Sequence, residues 1–325
     1  MGETVEHISI GVWIGFFALV IVMLAIDLGV SRRRKQGMSL RAAGAWTAVW
    51  IATALIFNVG IYLWRGTEPA LEFFTAYLIE KALSVDNLFV FVLIFTLFGV
   101  PALYQRRVLF WGVIGALVMR GVFIGAGAAL LHRFHWLMYV FGAFLIFTGV
   151  KLALGGETEI KPERNPLIRL FRRLMPVTEE FDGERFFVRR AGVLMATPLS
   201  LVLLVVESTD LVFAVDSIPA VLAVTQDPFL VYTSNIFAIL GLRALYFLLA
   251  GAMTRFHYLK LALSVILGFV GVKMLVSSIY KIPIALSLGV IAGLLTAAVV
   301  ASLVRARRSE ERAAREVEGY EAQGV

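Results

Sequence analysis

Long apolar runs separated by short polar connections make up most of the chain. Each run is long enough to cross a hydrocarbon layer of about 30 Å as a helix. The nine runs lie near residues 8–30, 43–64, 70–99, 108–131, 136–154, 191–225, 229–250, 258–280 and 282–304. This pattern predicts an all-α, polytopic membrane protein with about nine transmembrane helices.

The composition agrees with this fold class. Of the 325 residues, 60% are hydrophobic, and the mean hydropathy is +0.86. A soluble domain of this size needs a more polar surface than such a chain can provide. The first run is preceded by Glu3 and Glu6 and by no Lys or Arg, and it is longer than the roughly 7–15 apolar residues of a signal peptide, so we interpret it as a transmembrane helix and not as a cleaved signal peptide.

Basic residues are concentrated in alternate connections between the runs. Most of the 30 Lys and Arg residues fall in 32–41, 106–107, 151–190, 255–260 and the tail from residue 305. The positive-inside rule therefore predicts an N-terminus outside the cell and a C-terminus in the cytoplasm. The net charge of +7 reflects this topology and favours contact with anionic membrane lipid, whereas nothing further supports nucleic-acid binding.

An internal repeat relates two parts of the chain. The segment RFHWL at 133–137 matches RFHYL at 255–259, and FTGVKL at 147–152 matches FVGVKM at 269–274, both at an offset of 122 residues. Arg120 and Arg243 match at an offset of 123. Because the repeat contains three spans, an odd number, the second copy must cross the membrane upside down, which predicts an inverted 3+3 repeat.

The repeat and the loops divide the chain into five parts. We expect two N-terminal transmembrane helices in 1–66, a first three-helix repeat in 67–154, a cytoplasmic loop in 155–190, a second repeat in 191–281, and a last transmembrane helix with a charged cytoplasmic tail in 282–325. Leucines at helical spacing beside arginines in 167–174 predict a short amphipathic helix within the loop.

Three carboxylates interrupt the apolar run at 191–225. Glu207, Asp210 and Asp216 would each cost about 2.5–3.5 kcal/mol if they were ionised in hydrocarbon, so we expect them to face the bundle interior or a watery cavity. A single helix over this run would be roughly 52 Å long, which exceeds one span. We therefore predict a break at Pro219, which would free a backbone carbonyl beside Asp216.

A second polar group lies within the run at 70–99. Glu80, Lys81, Asp86 and Asn87 all fall inside one span, where ionisable side chains are costly unless they are used. A structural salt bridge made by Lys81 is the alternative. The spacing of Glu80 and Asp86 equals that of Asp210 and Asp216, although Asp86 also aligns with Asp210, and the register stays open.

Other charged residues in the spans accompany these acids. Arg120 and Arg243 are expected counter-ions of the carboxylates. Asp27 either pairs with the arginines at 32–34 or takes part in function. The candidate metal ligands are Glu80, Asp86, Asn87, Glu207, Asp210 and Asp216, and the candidate counter-ions or gating groups are Arg120, Arg243, Lys81 and Asp27.

This ligand set consists of oxygen atoms only. The chain has no cysteine, and its four histidines lie in predicted loops or interfaces. Carboxylate, amide and carbonyl oxygens suit Mn²⁺, Mg²⁺ and Ca²⁺ better than Zn²⁺ or Cu⁺. Intramembrane aspartyl proteases carry an aspartate in a G-x-G-D setting, whereas the sequence here reads SVDN, STDL and AVDS. We expect neither an enzyme nor a bound cofactor.

The acidic motifs resemble those of a known family. The segments EKALSVDNLFVF at 80–91, FFVRRAG at 186–192 and ATPLSLVLLVVESTDLVFAVDSIPAV at 196–221 are similar to the TerC family of bacterial integral membrane proteins. The resemblance implies a multi-pass protein of the bacterial cytoplasmic membrane, manganese export, and an older link to tellurite resistance. It also implies metal handling by the six candidate ligands.

The expected function is that of a secondary transporter that exports divalent cations, Mn²⁺ first among them, with protons as a candidate coupling ion. Two alternatives stay open. One is a non-transporting membrane partner in metal or tellurite stress or in membrane-protein assembly. The other is a calcium/cation antiporter.

Overall fold

A computed structural model describes residues 9–33, 39–134, 136–154, 166–190, 192–250 and 258–322. Over these residues the chain is helical apart from one small hairpin, which confirms the predicted all-α class. The elements are α1 (Ile10–Arg33), α2 (Leu40–Arg65), α3 (Thr67–Leu97), α4 (Ala102–Arg133), α5 (Leu137–Ala153), α6 (Pro166–Leu174), β1 (Phe187–Arg190), β2 (Val193–Ala196), α7 (Pro198–Leu222), α8 (Pro228–Ile239), α9 (Leu242–Ala250), α10 (Leu259–Val276) and α11 (Ile284–Ala322).

Several of these helices have the length and composition of membrane spans, which confirms a polytopic membrane protein. Within the described residues, α1, α2, α4, α7, α10 and α11 meet both criteria, and α8 with α9 adds a seventh, bent span. Two further helices of the predicted nine do not meet them. Helix α3 contains several charged residues in its 31 residues, and α5 has only 17 residues.

The run at 191–225 is shorter as a helix than the sequence suggests. Strand β2 accounts for its first residues and pairs antiparallel with β1. Helix α7 begins at Pro198, where the missing N–H of proline costs no helical hydrogen bond. The helix then continues past Pro219 to Leu222, so the predicted break at Pro219 is wrong. Its 25 residues span about 37 Å, enough for one tilted crossing.

The break lies instead between α8 and α9, whose axes differ by 43°. Gly241 has φ +82°, a conformation that favours glycine, and a Cβ at this position would overlap the Trp50 ring of α2. Lys81 of α3 donates from Nζ to the Ala238 carbonyl oxygen at 3.1 Å, close to the end of α8. Helices α2 and α3 thus both contact the broken element, and Lys81 is used for this and not for an acid.

The helices form a central bundle with flanking helices around it. Helix α3 packs against α7 and α8, and α4 packs against the same two helices. Helices α5 and α10 form a separate pair, which contacts α7 through α5. On the outside, α2 covers α3 and α9, and α11 covers α3 and α10. The charged residues of α3 and α7 therefore lie where the most helices meet.

Glycines allow α5 and α10 to approach closely. A Cβ at Gly142 would lie 2.9 Å from the Gly271 carbonyl oxygen, and a Cβ at Gly149 would lie 2.7 Å from the Ser264 carbonyl oxygen. Since residue numbers rise along α5 while they fall along α10 at these contacts, the two helices are antiparallel. Small residues are the usual means of such backbone contact in membranes.

Contacts between connections define the two ends of the bundle. Arg106 Nη2 lies 3.6 Å from Glu184 Oε1, and the Arg107 guanidinium lies over the Phe186 ring, so the segment around α6 and β1 packs beside the start of α4. At the other end of α3, Arg65 forms a 2.5 Å ion pair with Asp227.

Helix α6 has the predicted amphipathic character, with one side buried and its leucines largely exposed.

The contact between α5 and α10 yields a first prediction. Substitution of Gly149 by Ala places a methyl group against the backbone of α10 and is expected to destabilise the protein by about 1–3 kcal/mol. Thermal unfolding of the purified protein in detergent measures this. Gly289→Ala on α11 is the matched control, because a Cβ there meets no atom within 4 Å. Equal stability of the two variants would contradict close backbone packing.

Candidate functional site

The centre of the bundle contains a buried ion pair. Glu80 of α3 and Arg120 of α4 are bonded to each other, and their side chains are 0% and 3% exposed. Ser84, one turn after Glu80, donates to Glu80 Oε1 at 3.5 Å. Residues four apart lie on the same face of a helix, which agrees with this contact. Burial of both charges requires that each retain its partner.

Arg120 extends this pair to two further helices. Its Nη1 atom donates to Asn235 Oδ1 of α8 at 3.2 Å, and its Nη2 atom lies 3.6 Å from Asp210 Oδ1 of α7. Asn235 in turn donates from Nδ2 to the Val231 carbonyl oxygen at 3.1 Å, which directs its amide oxygen towards the guanidinium. One guanidinium therefore joins α3, α4, α7 and α8.

This cluster is only partly satisfied. Glu80 Oε2, Asp210 Oδ2 and Arg120 Nε are buried and have no hydrogen-bond partner among the described residues. Two carboxylates face one guanidinium, so the formal charge of the group is negative. The free carboxylate oxygens point to a site that can accept an additional positive charge, since buried polar atoms are normally paired.

Glu207 lies next to the cluster. It precedes Asp210 by one turn of α7 and interacts electrostatically with it. Its carboxylate lies against α4 at Gly115, where a Cβ would overlap the carboxylate oxygens. Among the described residues Glu207 has no ion pair. A glycine on the neighbouring helix therefore provides the space for this acid.

Asp86 and Asp216 lie apart from the central cluster. Asp216 Oδ1 accepts a hydrogen bond from Thr148 Oγ1 of α5 at 3.1 Å, and Lys260 of α10 acts electrostatically on Asp86. In the described part of the chain, no three carboxylate or imidazole groups are placed to hold one metal ion. The structure thus brings Glu80 and Asp210 together beside Glu207, and it separates the remaining candidates.

Arg243 belongs to a different ion pair. Its Nε atom donates to Asp27 Oδ2 at 2.8 Å, its Nη2 atom donates to the Asp27 carbonyl oxygen at 2.7 Å, and the guanidinium lies over the Phe110 ring. Arg243 is thus a counter-ion of Asp27 of α1 and not of the acids of α3 or α7. The alternative partners of Asp27 at 32–34 fall outside the described side chains.

Sequence reasoning missed Asn235 and Gly115. Asn235 is a strongly polar residue inside an apolar run, the same signal that identified Asn87, so it could have been found. Asn87 itself is buried on α3. Gly115 gives no signal of its own, because its role depends on a carboxylate from another helix.

A comparison with known proteins indicates the same family as the acidic motifs. The sequence model described as "Integral membrane protein TerC family" matches residues 65–310, about three quarters of the chain. The chain belongs to the TerC family. This confirms the resemblance given by the motifs on α3 and α7. Helix α1 and nearly all of α2 precede the matched region of this TerC-family protein.

Bacterial relatives match most of the length of this TerC-family protein. An "Uncharacterized membrane protein STKORF319" of Myxococcus xanthus is 55% identical over 301 residues, which are 93% of this chain and 94% of the relative. The "Putative membrane-bound redox modulator Alx" of Escherichia coli K12 is 52% identical over 292 residues, 87% and 91% of the two chains. An "Uncharacterized membrane protein" of Rickettsia bellii is 41% identical over 293 residues, 90% and 97%. No solved structure matches the chain.

The pair of Asp27 and Arg243 yields a second prediction. Asp27→Asn or Arg243→Gln leaves a largely buried partner without its counter-ion, and each is expected to lower the free energy of unfolding by about 2–3 kcal/mol. The double variant should lose less than the sum of the two, since the residues are coupled. Thermal unfolding in detergent measures all three.

Glu184→Gln serves as the control for this series. Its ion pair with Arg106 is longer and more exposed, so its loss should cost less than about 1 kcal/mol. Additive effects of the two substitutions at Asp27 and Arg243 would contradict a direct pair.

Proposed function

We propose that this TerC-family protein is a secondary transporter that exports divalent cations, with Mn²⁺ as the main substrate. The buried cluster of Glu80, Arg120 and Asp210 is the observation that carries the proposal. Ionisable groups in the middle of membrane spans are costly and usually belong to an ion pathway. Here they meet between four helices and retain free carboxylate oxygens. Because the site works by ion binding, we propose no catalytic residue and no resident cofactor.

The transporter architecture that we propose is an inverted 3+3 repeat of α3–α5 and α7–α10. Reciprocal packing supports it, since the first helix of each unit packs against the second element of the other. The contact of Gly142 with Gly271 and that of Gly149 with Ser264 support it as well. An offset of 122 residues converts one contact into the other, as a two-fold axis between α5 and α10 requires.

The proposed topology has nine spans, with α3, α5 and the bent α8–α9 pair included. The N-terminus is then outside, the C-terminus is in the cytoplasm, and the membrane is the bacterial cytoplasmic membrane. Contacts at the bundle ends support this arrangement. Arg106 and Glu184 come from two connections assigned to the cytoplasm, and Arg65 and Asp227 come from two connections assigned to the outside.

Asp86 and Asp216 fit the two ends of a pathway. In this topology Asp86 lies about 9 Å from Glu80 towards the cytoplasm, and Asp216 lies about 9 Å from Asp210 towards the outside. We propose that Asp86, with Asn87 beside it, receives the cation from the cytoplasm, and that Asp216 passes it outward. Alternation between the two openings would follow from rocking of the two repeats against each other.

Oxygen ligands narrow the choice of substrate. Carboxylates and an amide oxygen suit Mn²⁺, Mg²⁺ and Ca²⁺, and the TerC resemblance favours Mn²⁺ among them. Export of a divalent cation against a membrane potential of 100 mV costs about 4.6 kcal/mol, so it needs a driving force. We propose exchange for protons, because carboxylates can release a metal ion and take up protons in its place.

The printed name of the Alx relatives describes a redox modulator, but this chain contains no cysteine and so has no thiol–disulfide couple.

Two other functions are kept as alternatives. A non-transporting partner in metal or tellurite stress or in membrane-protein assembly would use the acids to hold helices together. A calcium/cation antiporter would prefer Ca²⁺ over Mn²⁺. Membrane lipid and small cations are the partners we propose, with no nucleic acid.

Flux measurements test the function. Purified protein in proteoliposomes is expected to transport Mn²⁺ down an imposed gradient, faster than Ca²⁺ or Mg²⁺, and faster still with an opposing pH gradient. Asp86→Asn and Asp216→Asn should each reduce the flux at least about tenfold, because each removes a charged ligand on the path. Glu184→Gln, an acid outside the spans, is the control. Absence of flux in wild-type protein under all gradients would favour the partner alternative.

Cysteine labelling tests the topology in a chain that is naturally free of cysteine. Glu68→Cys and Glu180→Cys introduce single thiols at exposed positions near opposite ends of the bundle. In intact cells a membrane-impermeant maleimide should label the first variant only, and permeabilisation should expose the second. The reverse pattern would overturn the proposed orientation.

A further inference from the structure

Arg120 occupies a position suited to a cation with oxygen ligands. Its guanidinium faces Glu80 Oε1, Asp210 Oδ1 and Asn235 Oδ1, which come from three different helices. The arginine itself is 2% exposed and comes from a fourth helix. These three oxygen atoms belong to the types that hard divalent cations prefer. The guanidinium thus takes the place that a bound metal ion would occupy.

The charge balance at this position favours a divalent cation. Two carboxylates facing one guanidinium leave a formal charge of −1, and Glu80 Oε2 and Asp210 Oδ2 stay without a hydrogen bond. A divalent cation between the same carboxylates would bring the formal charge to zero and could use the free oxygen atoms. Arg120 and the metal ion cannot both occupy the site.

We propose that the Arg120 guanidinium is a tethered substitute for the transported cation, bound to Glu80 and Asp210 in the empty carrier and displaced when a divalent cation binds. This inference rests on the proposed function and adds a mechanism for the empty carrier. Asn235 contributes its amide oxygen to both states.

Glu207 is the acceptor for the displaced arginine. It lies one turn from Asp210 on α7, faces α4, and has no ion pair among the described residues. A guanidinium that leaves Asp210 can therefore reach another carboxylate without crossing lipid. With Glu207 counted, the formal charge of the group is −2 in the empty carrier and zero with the divalent cation bound, so protons taken up in exchange for the cation complete the balance that a buried cluster requires.

The substitute cation explains how the empty carrier can return. Two uncompensated carboxylates would hold the empty site in whichever orientation gives them water, because their burial is costly. Arg120 neutralises part of this charge and protons taken up in exchange neutralise the rest, so that the empty repeats can rock back. Without it, the carrier is expected to move only when a metal ion is bound, so it would exchange ions but would not produce net transport.

Arg243 provides a matched comparison. It is the arginine that matches Arg120 in the proposed repeat, and it is also buried. It donates to Asp27 and lies over the Phe110 ring, and among the described residues it has no ion pair with Glu80 or Asp210. Substitution of Arg243 therefore removes a buried guanidinium of the same kind. It does not change the competition between Arg120 and the metal ion for Glu80 and Asp210.

Binding to the purified protein is the first test. The probe is Mn²⁺, and the readout is the midpoint of an equilibrium Mn²⁺ binding titration by calorimetry, because the rise in melting temperature caused by a ligand does not saturate. Arg120→Gln should lower this midpoint about tenfold, if the arginine occupies the site about 90% of the time in the empty protein. Arg120→Lys, which keeps a charge and is the more conservative change, should lower it by a smaller factor. Arg243→Gln should leave it within about twofold.

These outcomes decide between competition and cooperation. A lower midpoint in both Arg120 variants supports displacement. If the midpoint is no longer lowered in the double variant Arg120→Gln/Glu80→Gln, the effect depends on the central carboxylates. An unchanged or higher midpoint in Arg120→Lys overturns the inference, whether or not Arg120→Gln folds, because the arginine would then assist metal binding.

Transport by proteoliposomes separates this inference from the proposed function. Wild-type protein should show both net Mn²⁺ flux and exchange of radiolabelled Mn²⁺ for unlabelled Mn²⁺. Arg120→Gln should keep exchange and lose net flux at least about tenfold, which a merely structural defect would not do. Equal loss of both activities overturns the role of Arg120 while the transporter stands. No flux by wild-type protein overturns the proposed function itself.

Discussion

A single buried guanidinium holds the centre of this membrane protein together. Arg120 compensates carboxylates from α3 and α7 and bonds to an amide of α8, so the three helices that face α4 depend on one side chain. In lipid the helices gain little from the hydrophobic effect against one another, and polar contacts and close packing must supply the association. The central bundle is therefore organised by charge balance, whereas α5 and α10 associate through backbone contact at glycines. The central bundle thus depends on buried charges, and the neighbouring pair of α5 and α10 depends on close backbone packing.

Much of the fold could be predicted because bilayer thickness limits the length of apolar runs. Most helices begin and end close to the predicted segments, although α11 continues to Ala322 and not only to about residue 304. The amphipathic character of α6 follows from its leucine spacing. The break was predicted at the wrong residue. Pro219 removes one hydrogen bond, which α7 tolerates, whereas Gly241 combines a left-handed backbone with a neighbouring indole ring from another helix. Such tertiary contacts leave no local pattern in the sequence.

The candidate site was predictable in its residue types and not in its pairing. Carboxylates and arginines within apolar spans identify themselves through the cost of burial. Their partners depend on the approach of distant helices. Arg243 and Asp27 are 216 residues apart, and Arg243, which was expected to compensate the acids of α3 and α7, bonds instead to a carboxylate of α1. The separation of Asp86 and Asp216 from Glu80 and Asp210 likewise follows from helix geometry, because six residues of a helix rise about 9 Å.

The bond between α1 and α9 has a consequence for the evolution of the family. Arg243 lies inside the region that the family shares, and Asp27 lies before it. A buried arginine cannot lose its carboxylate without cost, so α1 and α9 are not free to change independently at this contact. A relative with a shorter N-terminus would need either another acid beside this arginine or an uncharged residue in its place. Helix α1 thus shares a buried charge pair with the part of the chain that the family model covers.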